Sequence, residues 1–340
     1  LRFKVKPDSL PPTNIHVLIG RNGVGKTFIL NAMVRALISS DHNSEQDGMF
    51  KSIGGTFEED HEIPFSNILS ITFSAFDNFE IKSQDDNAKN IPRYINVGLQ
   101  KSIQENGQWK RITCDPETLA QEFSKSAWSC VGGGKILRWR KALTTLKTDS
   151  LFAEAGVANL ADNDENEFEQ EAEKLYSRLS SGHKIVLLSI TKLIENVDEK
   201  TLVLIDEPEA HLHPPLLASF VRALSDLLID RNGVAIIATH SPVVLQEIPS
   251  SCIWKIIRHG LAIKATRPTI ETFAENVSIL TREIFGLEVM RSGFYKMLSD
   301  AAKDENKIDD VVDKFDIEVG SEGRALISSI IASRDSSESE

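Results

Sequence analysis

Apolar positions along the chain alternate between short unbroken runs and helical spacing. Apolar runs at Ile15–Ile19, Leu202–Ile205 and Val234–Ala238 read as strands, the last two buried on both faces, and Asn67–Phe73 reads as a further strand. Helical spacing appears from about Lys26 to Leu37, across His183–Val197, and in Leu216, Leu217, Phe220, Val221, Leu224 and Leu228. Tyr94–Ile103 and Trp109–Thr113 flank Asn106-Gly107, which predicts a hairpin. Asp115-Pro116 predicts an N-cap and a first helical residue, with the helix running to about Ser126. Ile253–Ile257 and Leu261–Ala265, around His259-Gly260, predict a closing hairpin. The acidic segment Asp162–Glu173 reads as solvated. Beyond about Pro268 short helices are expected, then a disordered Ser/Glu tail, Ser336–Glu340. Strands alternating with helices predict an α/β fold.

A length of 340 residues suffices for a sizeable core. A formal charge of −12 argues against nucleic-acid binding through the whole surface, though not through a local basic patch. Three widely spaced cysteines, Cys114, Cys130 and Cys252, do not form a disulfide framework and suit a reducing compartment. The opening LRFKVKPDSL is neither a signal nor a transit peptide, and no apolar run reaches the ~20 residues of a membrane span, so a cytoplasmic setting is expected.

The first strand leads into Gly20-Arg21-Asn22-Gly23-Val24-Gly25-Lys26-Thr27, a complete G-x-x-x-x-G-K-[ST] loop between a strand and a helix. Its glycines let backbone amides converge on a phosphate, and the helix adds its positive end. Asn22, Gly23, Val24, Gly25, Lys26 and Thr27 are therefore the expected nucleotide-binding residues. Lys26 should reach the β- and γ-phosphates, and Thr27 should ligate Mg²⁺. The run Leu202–Ile205 ends in Asp206-Glu207. Asp206 is the expected second Mg²⁺ ligand, and Glu207 the general base that polarises the attacking water. The strand Val234–Ala238 leads into Thr239-His240-Ser241-Pro242, where His240 is a candidate sensor of the γ-phosphate or else a structural histidine.

Upstream of the acidic strand stands Leu179-Ser180-Ser181-Gly182-His183. With it, the order of motifs resembles the ABC-type ATPases, whose signature is LSGGQ-like. The stretch Asp206–Pro214, DEPEAHLHP, resembles the RecF/OLD/SMC-like group, including the PtuA-like ATPases of bacterial anti-phage systems of the Septu and retron kind. The likeness spans residues 1–265 and is loose over residues 78–178. It implies a P-loop NTPase of ABC-ATPase head type: a mixed sheet core with a helical lobe and a helical C-terminal extension. The implied division is residues 1–113 as N-terminal ATPase lobe, 114–182 as helical insertion, 183–267 as C-terminal ATPase lobe and 268–340 as extension. It also implies a homodimer or higher oligomer around ATP, in which Ser180 and Gly182 meet the γ-phosphate held by the opposite chain. His211 and His213 then belong to a subunit-contacting loop and not to a zinc site. No glutamine stands after the second strand where relatives carry one; Ser74 and Asp77 are candidates for its work. Phe3 is a candidate for adenine stacking.

The expected activity is ATP hydrolysis that controls a partner, with a separate HNH-type nuclease subunit foremost, in anti-phage defence or DNA metabolism. The alternatives are the ATPase subunit of a membrane transporter and a nucleotide-gated scaffold with little turnover. Lys135, Arg138, Trp139, Arg140 and Lys141 read either as a nucleic-acid contact, with Trp139 stacking on a base, or as an amphipathic helix with Trp139 inward.

Overall fold

The computed structural model describes residues 1–6, 8–38, 48, 50, 65–73, 91–98, 100–105, 108–260, 262–286 and 293–337. The chain divides into two compact units, Leu1–Val277 and Ser278–Glu340.

The first unit is built on a seven-stranded sheet. Its strands are β1 (Ile15–Ile19), β2 (Asn67–Thr72), β3 (Arg93–Gly98), β6 (Thr201–Asp206), β7 (Val234–Thr239), β8 (Ile253–His259) and β9 (Ala262–Thr266). Their order is β3-β2-β6-β7-β1-β8-β9. All neighbours run parallel except β8 and β9, which form the expected closing hairpin. Because β7 lies between β1 and β6, the segments leaving these three strands emerge side by side at one edge. Every residue of β1 and β6 is buried, as continuous apolar runs require. Leu30 and Val34 of α1 (Lys26–Ile38) pack with Leu18, Ile68, Leu204 and Ile236 of the sheet.

The predicted strand Tyr94–Ile103 divides in two. Residues 93–98 join β2 in parallel, while β4 (Gln100–Glu105) pairs antiparallel with β5 (Gln108–Thr113) as a separate two-stranded sheet. The turn residues Asn106-Gly107 lie outside the described residues, as do Ser74 and Asp77.

A helical lobe comprises α2 (Pro116–Gly132), α3 (Ile136–Leu146), α4 (Ser150–Ala155), α5 (Glu165–Arg178) and α6 (Ser181–Asn196); α7 (Pro214–Ile229) packs against α3. Helix α2 starts as expected, with the Asp115 side chain accepting from the Thr118 amide and Pro116 at the first position, but it extends beyond Ser126 to Gly132. The acidic stretch is not merely solvated, because Phe168, Ala172 and Tyr176 turn α5's apolar stripe inward. Tyr176 stacks on Phe123 at 5.0 Å between ring centroids, and Phe168 meets Trp128 at 5.1 Å.

The basic stretch falls on α3, and base stacking by Trp139 is overturned. Its ring is wholly buried and its Nε1 donates to Thr191 Oγ1 at 3.1 Å. Lys135 donates to the Glu195 carbonyl and faces Asp198, Arg140 pairs with Asp162 at 2.5 Å, and Lys141 with Asp230 at 3.3 Å. Arg138 borders a crevice between α3 and α7 with Asp226 and Asp230. The amphipathic-helix reading describes this segment.

None of the three buried cysteines forms a disulfide, and no helix among the described residues is long and apolar enough to cross a membrane. His16, in β1, is wholly buried. Burial, aided by the charge of Arg267, lowers its pKa to about 4, so it is neutral inside the fold.

Helix α8 (Pro242–Gln246) follows β7 in the first unit, and the second unit contains most of α9 (Val277–Phe285), with α10 (Gly293–Ala301), α11 (Ile308–Val312) and α12 (Ser321–Ser337). Tyr295, Leu298, Val311, Ile327 and Ile331 form its core. Helix α12 continues through Ser336 and Ser337, where the sequence suggested a disordered tail.

Candidate active site

Three segments converge at the carboxyl edge of the sheet, the place where open α/β folds bind ligands. The register sets their spacing, since Ile19 is level with Thr239 and Asp206 with Ala238. Gly20, Glu207 and His240 therefore follow neighbouring strand ends.

The first segment is the loop Gly20–Thr27. Gly23 and Gly25 adopt φ values of 77° and 100°, where a side chain would be strained, so this course requires glycine. A Cβ on Gly20 would overlap the Ile256 carbonyl of β8, so the loop leaves β1 in direct contact with the neighbouring strand. Val24 is buried in the core, and Arg258 donates to the Gly23 carbonyl at 3.3 Å. Lys26 is buried to 4% exposure, its Nζ donating to the carbonyls of Gly20 and Arg21 at 3.0 Å each. Thr27 is half-buried beside it. This chain thus offers an ammonium group inside a ring of glycines at a helix N-terminus, which suits a polyphosphate.

The second segment follows β6. Asp206 is wholly buried at its end. Glu207 takes the left-handed conformation (φ 48°, ψ 57°), held by its amide donating to Ala238 O at 2.9 Å and by its own carbonyl accepting from Ala210 at 3.1 Å. Such strain in a non-glycine residue is typical of functional sites. The Asp206 carboxylate and the Thr27 hydroxyl are hard oxygen donors of the kind Mg²⁺ selects.

The third segment is the tip of β7. His240 is 42% exposed, with Nδ1 3.7 Å from Glu207 Oε1 and 3.0 Å from Glu209 Oε1. Oε1 of Glu209 also accepts from Thr239 Oγ1 and from the His240 amide, each at 2.6 Å. Burial pushes the Glu209 pKa up, but the bonds from His240 and Thr239 outweigh it and hold the carboxyl below its ordinary value. The Glu209 contact, opposed by burial and helped by Glu207, raises the His240 pKa. Glu209 was not singled out by the sequence reading. Its signal was a second carboxylate two residues beyond Glu207.

Ser180 and Gly182 lie at the start of α6. Ser180 is exposed and occupies the N-cap position without bonding the helix amides through its side chain. A Cβ on Gly182 would overlap the His211 carbonyl, so α6 begins against the segment that follows Glu207. His211 Nε2 lies 3.1 Å from the Phe73 carbonyl, tying that segment to β2's end. No group of three His, Cys, Asp or Glu suited to a metal ion occurs among the described residues. Phe3 packs edge-on against His16 at 5.2 Å, near the start of β1, away from the end that carries the loop.

The fold and the phosphate loop define a P-loop NTPase. The family described as "AAA domain, putative AbiEii toxin, Type IV TA system" matches residues 15–246, and the chain belongs to it. Protein ea59 of Escherichia phage lambda is 41% identical across 98% of the chain and 65% of its own length. The Retron Vc95 probable ATPase of Vibrio cholerae serotype O1 biovar El Tor is 28% identical across 58% of the chain and 36% of its own. The methionine import ATP-binding protein MetN of Chlamydia abortus is 26% identical across 35% of the chain and 33% of its own. The chain therefore spans less than two thirds of each of these relatives.

Proposed function

We propose that the chain hydrolyses Mg·ATP in a head-to-tail dimer and uses the cycle to control a partner protein. The observation that carries this reading is the side-by-side emergence of Gly20–Thr27, Asp206-Glu207 and His240 from adjacent parallel strands. In this reading the loop amides and Lys26 bind the phosphates, and Lys26 exchanges its two loop carbonyls for phosphate oxygens. Thr27 and Asp206 hold Mg²⁺, which supplies neutralisation of phosphate charge. Glu207 takes the proton of the attacking water. His240, its charged form favoured by Glu209, donates to the γ-phosphate. Ser180 and the open start of α6 complete the site of the opposite chain.

Likeness to a retron ATPase and to the ATP-binding protein MetN supports nucleotide chemistry. Likeness to a phage protein and to a retron ATPase supports a role in conflict between phage and host; the partner proposed for control is a separate HNH-type nuclease. Affinity capture of the chain from its native host, with the bound proteins identified, tests that partner.

The activity is tested by phosphate release. Glu207→Gln should bind ATP yet turn over ~10²–10⁴-fold more slowly, the usual contribution of a general base. Lys26→Ala should lose ATP affinity in calorimetry while remaining folded. Wild-type turnover in the first variant, or unchanged affinity in the second, would overturn the assignment.

A further inference from the structure

The Ser180 hydroxyl is engaged by a buried histidine and not by the amides of its own helix. Its Oγ lies 2.6 Å from His183 Nδ1, and His183 Nε2 lies 2.9 Å from Asp149 Oδ1. Asp149 is fixed in turn, because Oδ1 also accepts from the Leu151 and Phe152 amides as the cap of α4. Its Oδ2 faces His213 Nε2 at 3.4 Å. The His183 side chain is 7% exposed, with the Phe152 ring 5.0 Å away on one neighbouring element and His213 at 6.2 Å on another. The titratable groups from neighbouring elements that face it are thus Asp149 and His213; on its own helix Lys184 follows it.

This chain of contacts couples the direction of the Ser180 proton to the protonation of His183. Burial pulls the Asp149 pKa upward, but the bonds from His183, Phe152 and Leu151 hold it below its ordinary value. An ionised carboxylate only accepts, so His183 Nε2 carries a proton. A neutral imidazole has no second one, so Nδ1 accepts and the Ser180 O–H points inward at it. Ser180 then shows only lone pairs to the outside, which repel a phosphate oxygen. When His183 binds a second proton, Nδ1 becomes the donor to Oγ, and the Ser180 O–H is released outward.

We infer that His183 and Asp149 are positioning residues that set the direction of the Ser180 proton, so that Ser180 becomes a donor to the γ-phosphate when His183 takes up a proton from solvent. This rests on the reading that Ser180 faces ATP held by a second chain. Closure of each composite site takes up one proton from solvent, which forms the Nδ1–H bond of His183, and release of phosphate breaks that bond and returns the proton.

The test uses the full chain with ¹⁵N-labelled histidine rings. Of the eight histidines, His183 is assigned through His183→Asn or, if that variant does not fold, through Ser180→Ala, which must shift the ring of its bonded neighbour. The pH is set where the Nε2–H neutral form is observed without nucleotide; with Mg²⁺ and a non-hydrolysable ATP analogue at that pH, both nitrogens should be protonated. An Nδ1–H neutral form, or no added proton with the analogue, overturns the inference. Turnover against pH gives a second readout. An Asn amide donates to Ser180 without titrating, so His183→Asn should lose the alkaline fall in kcat, up to about tenfold per pH unit in the unaltered chain, with KM little changed. Ser180→Ala turning over normally would remove the composite-site reading and the inference with it. An impaired Ser180→Ala beside a His183→Asn profile like that of the unaltered chain would remove the inference alone.

Discussion

Glu209 is the residue on which the geometry of His240 depends most. One oxygen, Oε1, receives the Thr239 hydroxyl and the His240 amide and attracts the His240 ring. Glu209→Ala leaves two donors in a largely buried place, at about 1–3 kcal/mol each, so a total of about 2–6 kcal/mol is expected. Glu209→Gln keeps an acceptor and removes only the charge, which should cost about 1 kcal/mol. The second loss depends on pH. The His240 pKa is raised above 6.5, so the stability this contact provides is complete below pH 6.5 and fades as pH climbs through the raised value. Glu209, lowered below 4.5, stays charged throughout that range. The gap between the unaltered chain and Glu209→Gln should therefore be wider at pH 6 than at pH 9. All four tryptophans, Trp109, Trp128, Trp139 and Trp254, lie within Leu1–Val277. Urea unfolding followed by tryptophan fluorescence therefore reports on that unit. An equal gap at both pH values, or Glu209→Ala as stable as Glu209→Gln, would refute the reasoning.

Two further outcomes are expected. Gly182→Ala must move α6 off the His211 carbonyl, lowering stability by about 1–3 kcal/mol and turnover by about 10²-fold; a crystal structure of the variant with α6 unmoved would count against it. His16, with a folded pKa of about 4 against 6.5 unfolded, makes the unit lose stability as pH falls from 6.5 to 4, by about 3 kcal/mol. In urea unfolding across that range, His16→Leu should flatten the loss, and an unchanged slope would contradict this.

The phosphate loop, the acidic strand end and His240 were legible because each depends on residues adjacent in sequence and on buried strands of continuous apolar character. What escaped depends on partners distant in sequence. Residues 94–98 continue without a turn signal toward Asn106-Gly107, but pairing with β2 draws residues 93–98 into the main sheet. Trp139 stands among cations, yet it shares an apolar stripe with Ala142, Leu143 and Leu146, and the acids that offset those cations come from other segments. Asp149 lies 34 residues before His183, and no local spacing joins the two.

The composite site is tested most directly by mixing two inactive chains. Ser180→Arg places a bulky charge where the opposite γ-phosphate would sit, and Lys26→Ala removes the phosphate grip. A heterodimer of the two has one site with both defects and one with none. Mixed chains should therefore regain part of the ATPase activity that each lacks alone. Heterodimers seen by mass spectrometry without any regained activity, or normal hydrolysis by Ser180→Arg alone, would contradict the account.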